Sequence, residues 1–409
     1  MSAPARRGLP APRPLKVFIV AGEESGDALG GPLMQALAAR VPEGVRFRGV
    51  GGTRMIAAGL ETLFPMDDLT AIGFGEVFGK LPLLIGRLRQ TVAAILADPP
   101  DVLVLVDAPD FTHRVAARIR KRLPQLPIVK YVAPTVWAWR PGRAWAMRGI
   151  IDHVLALFPF EPAVMARLGG PPTTYVGHPL LGVLDRLRPG PEEAAQRQSA
   201  TPVLLVLPGS RRREVASLAA IFGETLGLLA ARGLTFEAVL PTLPRLEASL
   251  REATASWPVT PRIVVGEEAR QAAFRSARAA LAASGTVTLE LALAGIPSVG
   301  AYRVPGWEAF IARRVLTTPT VILPNIVLGE VAVPELLQED CAPHPLADAL
   351  EPLLEGGPAR ERQLAAFARL DALMATAGAP SADIAAATVL RVAAERHGGM
   401  AAGQRASLS

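Results

Sequence analysis

A succession of short, mostly apolar, strand-like runs, separated by segments of helical periodicity, dictates what this chain can fold into. In the first half the runs are Lys16–Val20, Arg46–Val50, Val102–Val106, Ile128–Val132, His153–Leu157 and Thr174–Val176. In the second half they are Val203–Leu207, Phe236–Leu240, Arg262–Val265, Ala279–Ala283 and Ser298–Tyr302. Runs this short have no polar face to offer water, so they fit strands covered on both sides. Helical patterns such as Leu29–Arg40, Pro82–Ala97 and Thr112–Leu123 fall between them, and alternation of the two predicts parallel sheets flanked by helices. From Ala332 onward the chain reads as helical, closing with Ala359–Ala375 and Ser381–His397. The polar stretch Leu184–Ala200 breaks the pattern and is expected to link two halves.

The expected fold class is therefore α/β, with two doubly wound, Rossmann-like domains facing a cleft at their strand C-terminal ends, and C-terminal helices. The expected boundaries are a disordered leader 1–14, a first domain 15–183, a linker region 184–200, a second domain 201–357, terminal helices 358–397 and a frayed tail 398–409. Half of the 409 residues are hydrophobic and 20% are charged, which excludes a disordered chain. The formal charge of +6 is carried mostly by arginines without a tract of interleaved aromatics, so nucleic acid is not expected as a partner. An anionic membrane surface or a phosphorylated substrate accounts for the same charge. Cys341 is the single cysteine, which excludes an intrachain disulfide and fits a reducing, cytoplasmic compartment. The five histidines have no spaced partners of the metal-binding kind, and no metal or cofactor is expected. No stretch reads as a membrane-spanning helix.

Two turns carry the chemistry of the second half. Gly209, Ser210 and Arg211 follow the run Val203–Leu207, and Ser284, Gly285 and Thr286 follow Ala279–Ala283. A buried strand that runs through a small-residue turn into a helix aims backbone N–H groups and the positive helix end at an anion. Two such turns in one domain point to a diphosphate, and a nucleotide-sugar is the expected ligand. The Arg211 guanidinium matches diphosphate oxygens in a bidentate way. Glu290, one turn into the second helix, either binds ribose hydroxyls or is structural, and Asn325 is a plausible polar donor. In the first half, Asp107 and Asp110 end a buried strand. Asp110 is the better placed of the two to cap the next helix, leaving Asp107 as the candidate general base. Gly22, Glu23 and Ser25 sit in the first strand-to-helix turn, where a ligand group or simply a tight turn explains the glycine. Trp137 and Trp139 form either a sugar or acyl platform or ordinary core. The apolar, glycine-punctuated stretch 72–89 holds Phe74, Val77, Phe78, Leu81, Leu84 and Arg87, the expected contact with an anionic bilayer.

The ordered motifs Ala21–Asp27, Phe64–Leu69, Asp107–Phe111, Pro134–Arg140, Phe158–Glu161, Gly177–Pro179, Leu207–Arg211, Ser284–Thr286 and Pro334–Glu339 resemble those of the lipid-A-disaccharide synthase family. They run from about residue 16 to 355. The chain departs from the usual family pattern at Lys130, where histidine is common, and at Glu330, where arginine is common. The resemblance implies a GT-B fold and an inverting hexosyltransferase. Its donor would be UDP-2,3-diacylglucosamine and its acceptor 2,3-diacylglucosamine 1-phosphate, giving the β-1,6-linked lipid A disaccharide 1-phosphate and UDP. It also implies Asp107 as base for the acceptor 6-hydroxyl, and Arg211, Glu290 and Asn325 at the UDP end of the donor. A cytoplasmic protein held peripherally on the inner membrane of a Gram-negative bacterium, as monomer or homodimer, is the matching expectation. The competing readings are a UDP-sugar epimerase or hydrolase of the same architecture and a non-catalytic lipid-binding protein.

Overall fold

The structure, a computed structural model, describes the backbone of residues 13–69 and 74–406 and the side chains of 13–69 and 81–395. The chain forms two compact units: the first takes in the chain up to Pro179 and again from Thr376, the second runs from Leu180 to Ala375.

The first unit is a parallel sheet of β1 (Leu15–Ala21), β2 (Val45–Val50), β3 (Leu60–Thr62), β4 (Val102–Val106), β5 (Ile128–Tyr131), β6 (His153–Ala156) and β7 (Thr173–Tyr175). Its strand order is β3-β2-β1-β4-β5-β6-β7. The central strand β4, Val-Leu-Val-Leu-Val, is buried at every position because helices cover both faces. Leu103 and Leu105 face Val115 and Ile119 of the helix Pro109–Arg122 on one side. The last described helix, Ser381–Ala406, extends beyond His397 and packs on the helix Glu24–Arg40, burying Ala385, Ala386 and Val389. Arg40 Nη1 donates to Asp383 at 2.6 Å across that contact.

The second unit repeats the plan with β8 (Val203–Leu207), β9 (Glu237–Thr242), β10 (Arg262–Val265), β11 (Ala277–Ala283), β12 (Ser298–Tyr302) and β13 (Glu335–Leu337). The order is β10-β9-β8-β11-β12-β13, again parallel. Leu204 and Val206 enter one core cluster while Val203, Leu205 and Leu207 enter the other, so the period-2 pleat fills both faces of the sheet. The helix Arg212–Ala231 is long and apolar enough to cross a membrane, but Leu218, Phe222, Leu226 and Leu229 are buried in the core of this unit. The segment Leu184–Ala200 contains the short helices Leu184–Leu187 and Pro191–Gln196 and is bonded to the second unit. There the buried Arg197 guanidinium donates to the carbonyls of Phe274, Arg275, Ala294 and Gly295, covering two helix ends.

One expectation is corrected, and two features are added to those that the sequence shows. The chain after Ala332 is not all helical: Glu335–Leu337 pairs with Gly300–Tyr302 as an edge strand. Three residues are too few for a periodicity to show. Leu60–Thr62 is a second short edge strand that the apolar pattern does not reveal. The stretch after residue 73 is helical from Phe74 to Ala97, with Pro82 accommodated inside.

In both sheets the strand order reverses beside the first strand, between β1 and β4 and between β8 and β11. Loops at the C-terminal ends of such strand pairs diverge to opposite faces and open a crevice for ligands.

Candidate functional site

At the second unit's reversal point, the turns after β8 and β11 border a cavity of about 360 Å³. Gly209, Ser210, Arg211, Ser284, Gly285, Thr286 and Glu290 all line it, together with Glu214, Thr242, Leu243 and Arg270. The helix Thr286–Leu293 points its N-terminus at this cavity with no side chain capping it. Its first N–H groups are thus available to an anion.

The other turn is differently furnished. The Glu214 carboxylate reaches back to accept from the backbone N–H groups of Ser210 at 2.9 Å and Arg211 at 3.2 Å, and from Arg211 Nη1 at 2.7 Å. Gly209 is at φ +117, and a Cβ there would lie 2.5 Å from Glu214, so glycine is needed on both counts. An internal carboxylate therefore occupies the donors that the sequence assigns to a diphosphate. Arg211 itself is largely exposed, with its side chain at 78%. Glu290 is buried and ion-paired with Arg270, whose guanidinium also lies 4.7 Å from the Phe274 ring centroid. That pairing offsets the Glu290 charge at a helix end where an anion would otherwise be repelled.

Asn325 does not line this cavity. Its buried amide donates to Val333 O at 2.9 Å and accepts from Ala332 and Val333 N–H at 3.0 and 2.8 Å. The side chain holds the loop that delivers β13, a demand created by the strand the sequence does not reveal. Glu330 pairs with Arg369 of a later helix.

The first unit's reversal point carries Asp107. Ser25 Oγ donates to Asp107 Oδ2 at 3.3 Å, joining the turns after β1 and β4. Gly22 lies so near the second turn that a Cβ would stand 2.6 Å from Ala108 Cβ. Asp107 and Ala108 both adopt left-handed backbone conformations, φ 47 and 42. For non-glycine residues that costs roughly 1–2 kcal/mol each, so the surroundings must hold them there. Thr112 Oγ1 contacts the carbonyls of Asp107 and Ala108 at 2.9 and 3.0 Å. Beneath them the buried Lys130 ammonium donates to Asp107 O and to Thr112 Oγ1, the latter at 3.2 Å. Burial pulls the Lys130 amine down to about 7, with the Asp107 charge opposing the shift. Asp110 does not cap the helix: Ala108 occupies the cap position without a side-chain bond, and exposed Asp110 pairs with Arg143 at 3.0 Å.

Trp137 donates to Glu161 at 3.2 Å and meets Phe160 edge-on, 5.5 Å between centroids. Glu161 also accepts from the Leu157 and Phe158 N–H groups, both at 3.0 Å, and desolvation raises it to about 7 against those bonds. Trp139 lies under the guanidinium of Arg140 at 4.3 Å. Glu23 is exposed. Of the residues expected at a membrane, Leu81 is exposed, Leu84 is half-buried, and Arg87 is paired with Asp68 at 2.7 Å. The side chains of Phe74, Val77 and Phe78 lie outside the described residues. Among the described residues, no three His, Cys, Asp or Glu side chains are grouped to hold a metal.

Sequence reasoning missed Glu214, Arg270 and Lys130. Glu214 stands three residues after Arg211, the spacing of a capping box, and that signal was legible. Arg270 gave none, because its partner is distant in sequence; Lys130 stood out as a departure from the family pattern, but nothing in the sequence shows that it reaches the Asp107 carbonyl.

The family model described as Lipid-A-disaccharide synthetase matches residues 17–388. A relative named lipid-A-disaccharide synthase, from Bradyrhizobium diazoefficiens, is 56% identical over 378 residues, spanning 91% of this chain and 96% of that protein. Among solved structures, the glycotransferase of kitacinnamycin superposes with TM-score 0.59 at 17% identity, covering 93% of this chain and all of that one. UDP-GlcNAc 2-epimerase from Neisseria meningitidis, bound to UDP-GlcNAc, gives 0.60 at 12% identity, covering 92% of this chain and 100% of that one. At such identities these two share the fold alone with this chain.

Proposed function

The chain belongs to the lipid-A-disaccharide synthase family, and from that premise we propose how its two reversal points divide the chemistry. The protein is a GT-B hexosyltransferase that moves 2,3-diacylglucosamine from its UDP-linked form to 2,3-diacylglucosamine 1-phosphate. The product is the β-1,6-linked disaccharide 1-phosphate, with UDP released. The observation that carries the division of labour is the cavity bordered by both glycine turns in the second unit, with Asp107 at the matching point of the first.

The second unit holds the donor. The uncapped N-terminus of Thr286–Leu293 and the Arg211 guanidinium face the diphosphate, where negative charge grows as the glycosidic C1–O bond breaks. A bound diphosphate takes the Ser210 and Arg211 N–H groups from Glu214. Glu290, already neutralised by Arg270, turns its remaining oxygen to the ribose hydroxyls. The first unit holds the acceptor. Asp107 removes the 6-hydroxyl proton as that oxygen attacks C1 from the face opposite UDP, which inverts the anomeric centre. The protein is cytoplasmic and peripheral on the inner membrane, and exposed Leu81, Leu83 and Ile85 of the helix Phe74–Ala97 supply the apolar contact.

The test is UDP release by the purified protein given the acylated donor, with and without the acceptor. Release that requires acceptor and yields disaccharide is expected. Release without acceptor would replace the synthase by a hydrolase, and UDP binding without any turnover would leave a binding protein.

A further inference from the structure

Five of the thirteen exposed large apolar side chains among the described residues, Trp307, Phe310, Ile311, Val315 and Leu316, lie on or just after one ten-residue helix, Gly306–Val315. This helix belongs to the second unit, far in sequence from the apolar stretch that suggested membrane contact. At 100° per residue, Phe310, Arg314, Trp307, Ile311 and Val315 follow one another around a continuous arc. Trp307 is 65% exposed and Phe310 57%. Ala309, on the opposite side, is the one fully buried residue of the helix. A face this apolar, left open to water, calls for an occupant.

We propose that the helix Gly306–Val315 is an interfacial helix that lays this arc into an anionic lipid surface. Three observations choose lipid over a second copy of the chain. Arg314 lies in the middle of the arc with its guanidinium 3.5 Å from the Phe310 ring centroid, and the nearest carboxylate, Glu308, flanks the Val315 edge of the arc and is tied up with Arg213. Self-pairing about a two-fold axis buries that charge against its own copy, whereas a layer of anionic headgroups accepts it. Glu308 is already paired with Arg213 at 2.9 Å and Arg313 with Glu339 at 2.8 Å, which leaves Arg303 and Arg314 as the cations next to the arc. The area is also small: the five side chains leave on the order of 500 Å² open, below the ~800 Å² per partner of a stable protein interface. Trp and Phe beside Arg match the chemistry of the headgroup boundary.

The surface pair Glu308–Arg213 joins the helix to the first turn of Arg212–Ala231, which follows the diphosphate-facing turn in the chain. The lipid-seated helix thus holds the mouth of the donor cavity at the bilayer, where the acyl chains of the donor remain. This consequence rests on the glycosyltransferase reading; the surface itself does not.

The experiment is flotation of the full-length chain with vesicles of phosphatidylethanolamine and phosphatidylglycerol, and with neutral phosphatidylcholine vesicles. Parent, Phe310→Ser/Ile311→Ser and Arg314→Gln proteins are compared, with thermal unfolding to verify folding. The parent is expected on anionic vesicles, the double variant to bind them at least tenfold more weakly, and Arg314→Gln to lose the preference for anionic lipid. Both substitutions are on the exposed face, and loss of folding in the double variant leaves Arg314→Gln to decide. Unchanged flotation of the variants, or a lowered sedimentation mass showing that the face joins two copies, overturns the proposal. UDP release from substrates in detergent micelles is measured alongside and is expected to match between parent and double variant. No turnover by the parent would end the transferase reading while flotation still judged the surface.

Discussion

Asp107 occupies a backbone conformation that few carboxylates adopt, and its neighbours show what keeps it there. Asp107→Asn keeps the turn but removes the proton acceptor. Turnover should drop by ~10²-fold or more while the UDP dissociation constant, read by titration calorimetry, hardly moves. Lys130→Met removes one of the two groups on the Asp107 carbonyl and leaves Thr112. A fall in kcat with little change in donor KM is expected, and Lys130→Arg should not restore it, since a guanidinium does not fit a fully buried amine pocket. The same residue sets a pH dependence. Its folded value of about 7 lies below the usual 10.5, so between those limits the unfolded chain holds the extra proton. Stability should rise with pH across that window, and the slope should weaken in Lys130→Met, as denaturant titrations at several pH values would reveal. Gly22 and Ala108 answer to each other. Gly22→Ala should destabilise the first unit, and adding Ala108→Gly should recover part of the loss in thermal melts, because the clash is between those two β-carbons.

At the scale of elements, each central strand, its turn and the start of the next helix were legible because they are contiguous and uniformly apolar. Val203–Leu207 followed by Gly209 and Arg212–Ala231 is the plainest case. Of the four edge strands, Thr173–Tyr175 and Arg262–Val265 were legible, whereas Leu60–Thr62 and Glu335–Leu337 were not. Glu335–Leu337 is a strand only because β12 offers it a ladder, and a three-residue stretch carries no periodic signal. Asn325 was read as a ligand donor for the same reason: its true partners, the Ala332 and Val333 backbone, matter only once that strand exists. Asn325→Ala should therefore lower the unfolding midpoint, at a cost of about 1–3 kcal/mol for the orphaned buried groups. UDP affinity measured on the folded variant should stay close to that of the parent. The exposed helix Gly306–Val315 was equally hidden, since an apolar arc in sequence looks the same whether it meets core or lipid. Arg270, by contrast, reaches Glu290 from another element altogether, a contact that no spacing within the chain encodes.

At the scale of the molecule, the strand order repeats, with one reversal point in each unit, and the family assignment agrees with the alternation seen along the whole sequence. The first unit is nevertheless not continuous. It leaves off at Pro179 and resumes at Thr376, when the helix Ser381–Ala406 covers Glu24–Arg40. Synthesis on the ribosome runs in one direction, so the seven-stranded sheet emerges early and waits, one helix short, while the whole second unit is translated. During that interval the surface destined for Ala385 and Val389 is bare, and transiently exposed apolar surface of that kind favours aggregation. A chain stopped after Ala375 should freeze that state: the second unit should melt cooperatively, while the first binds hydrophobic dyes and aggregates. Supplying residues 376–409 as a separate peptide should quench the dye signal.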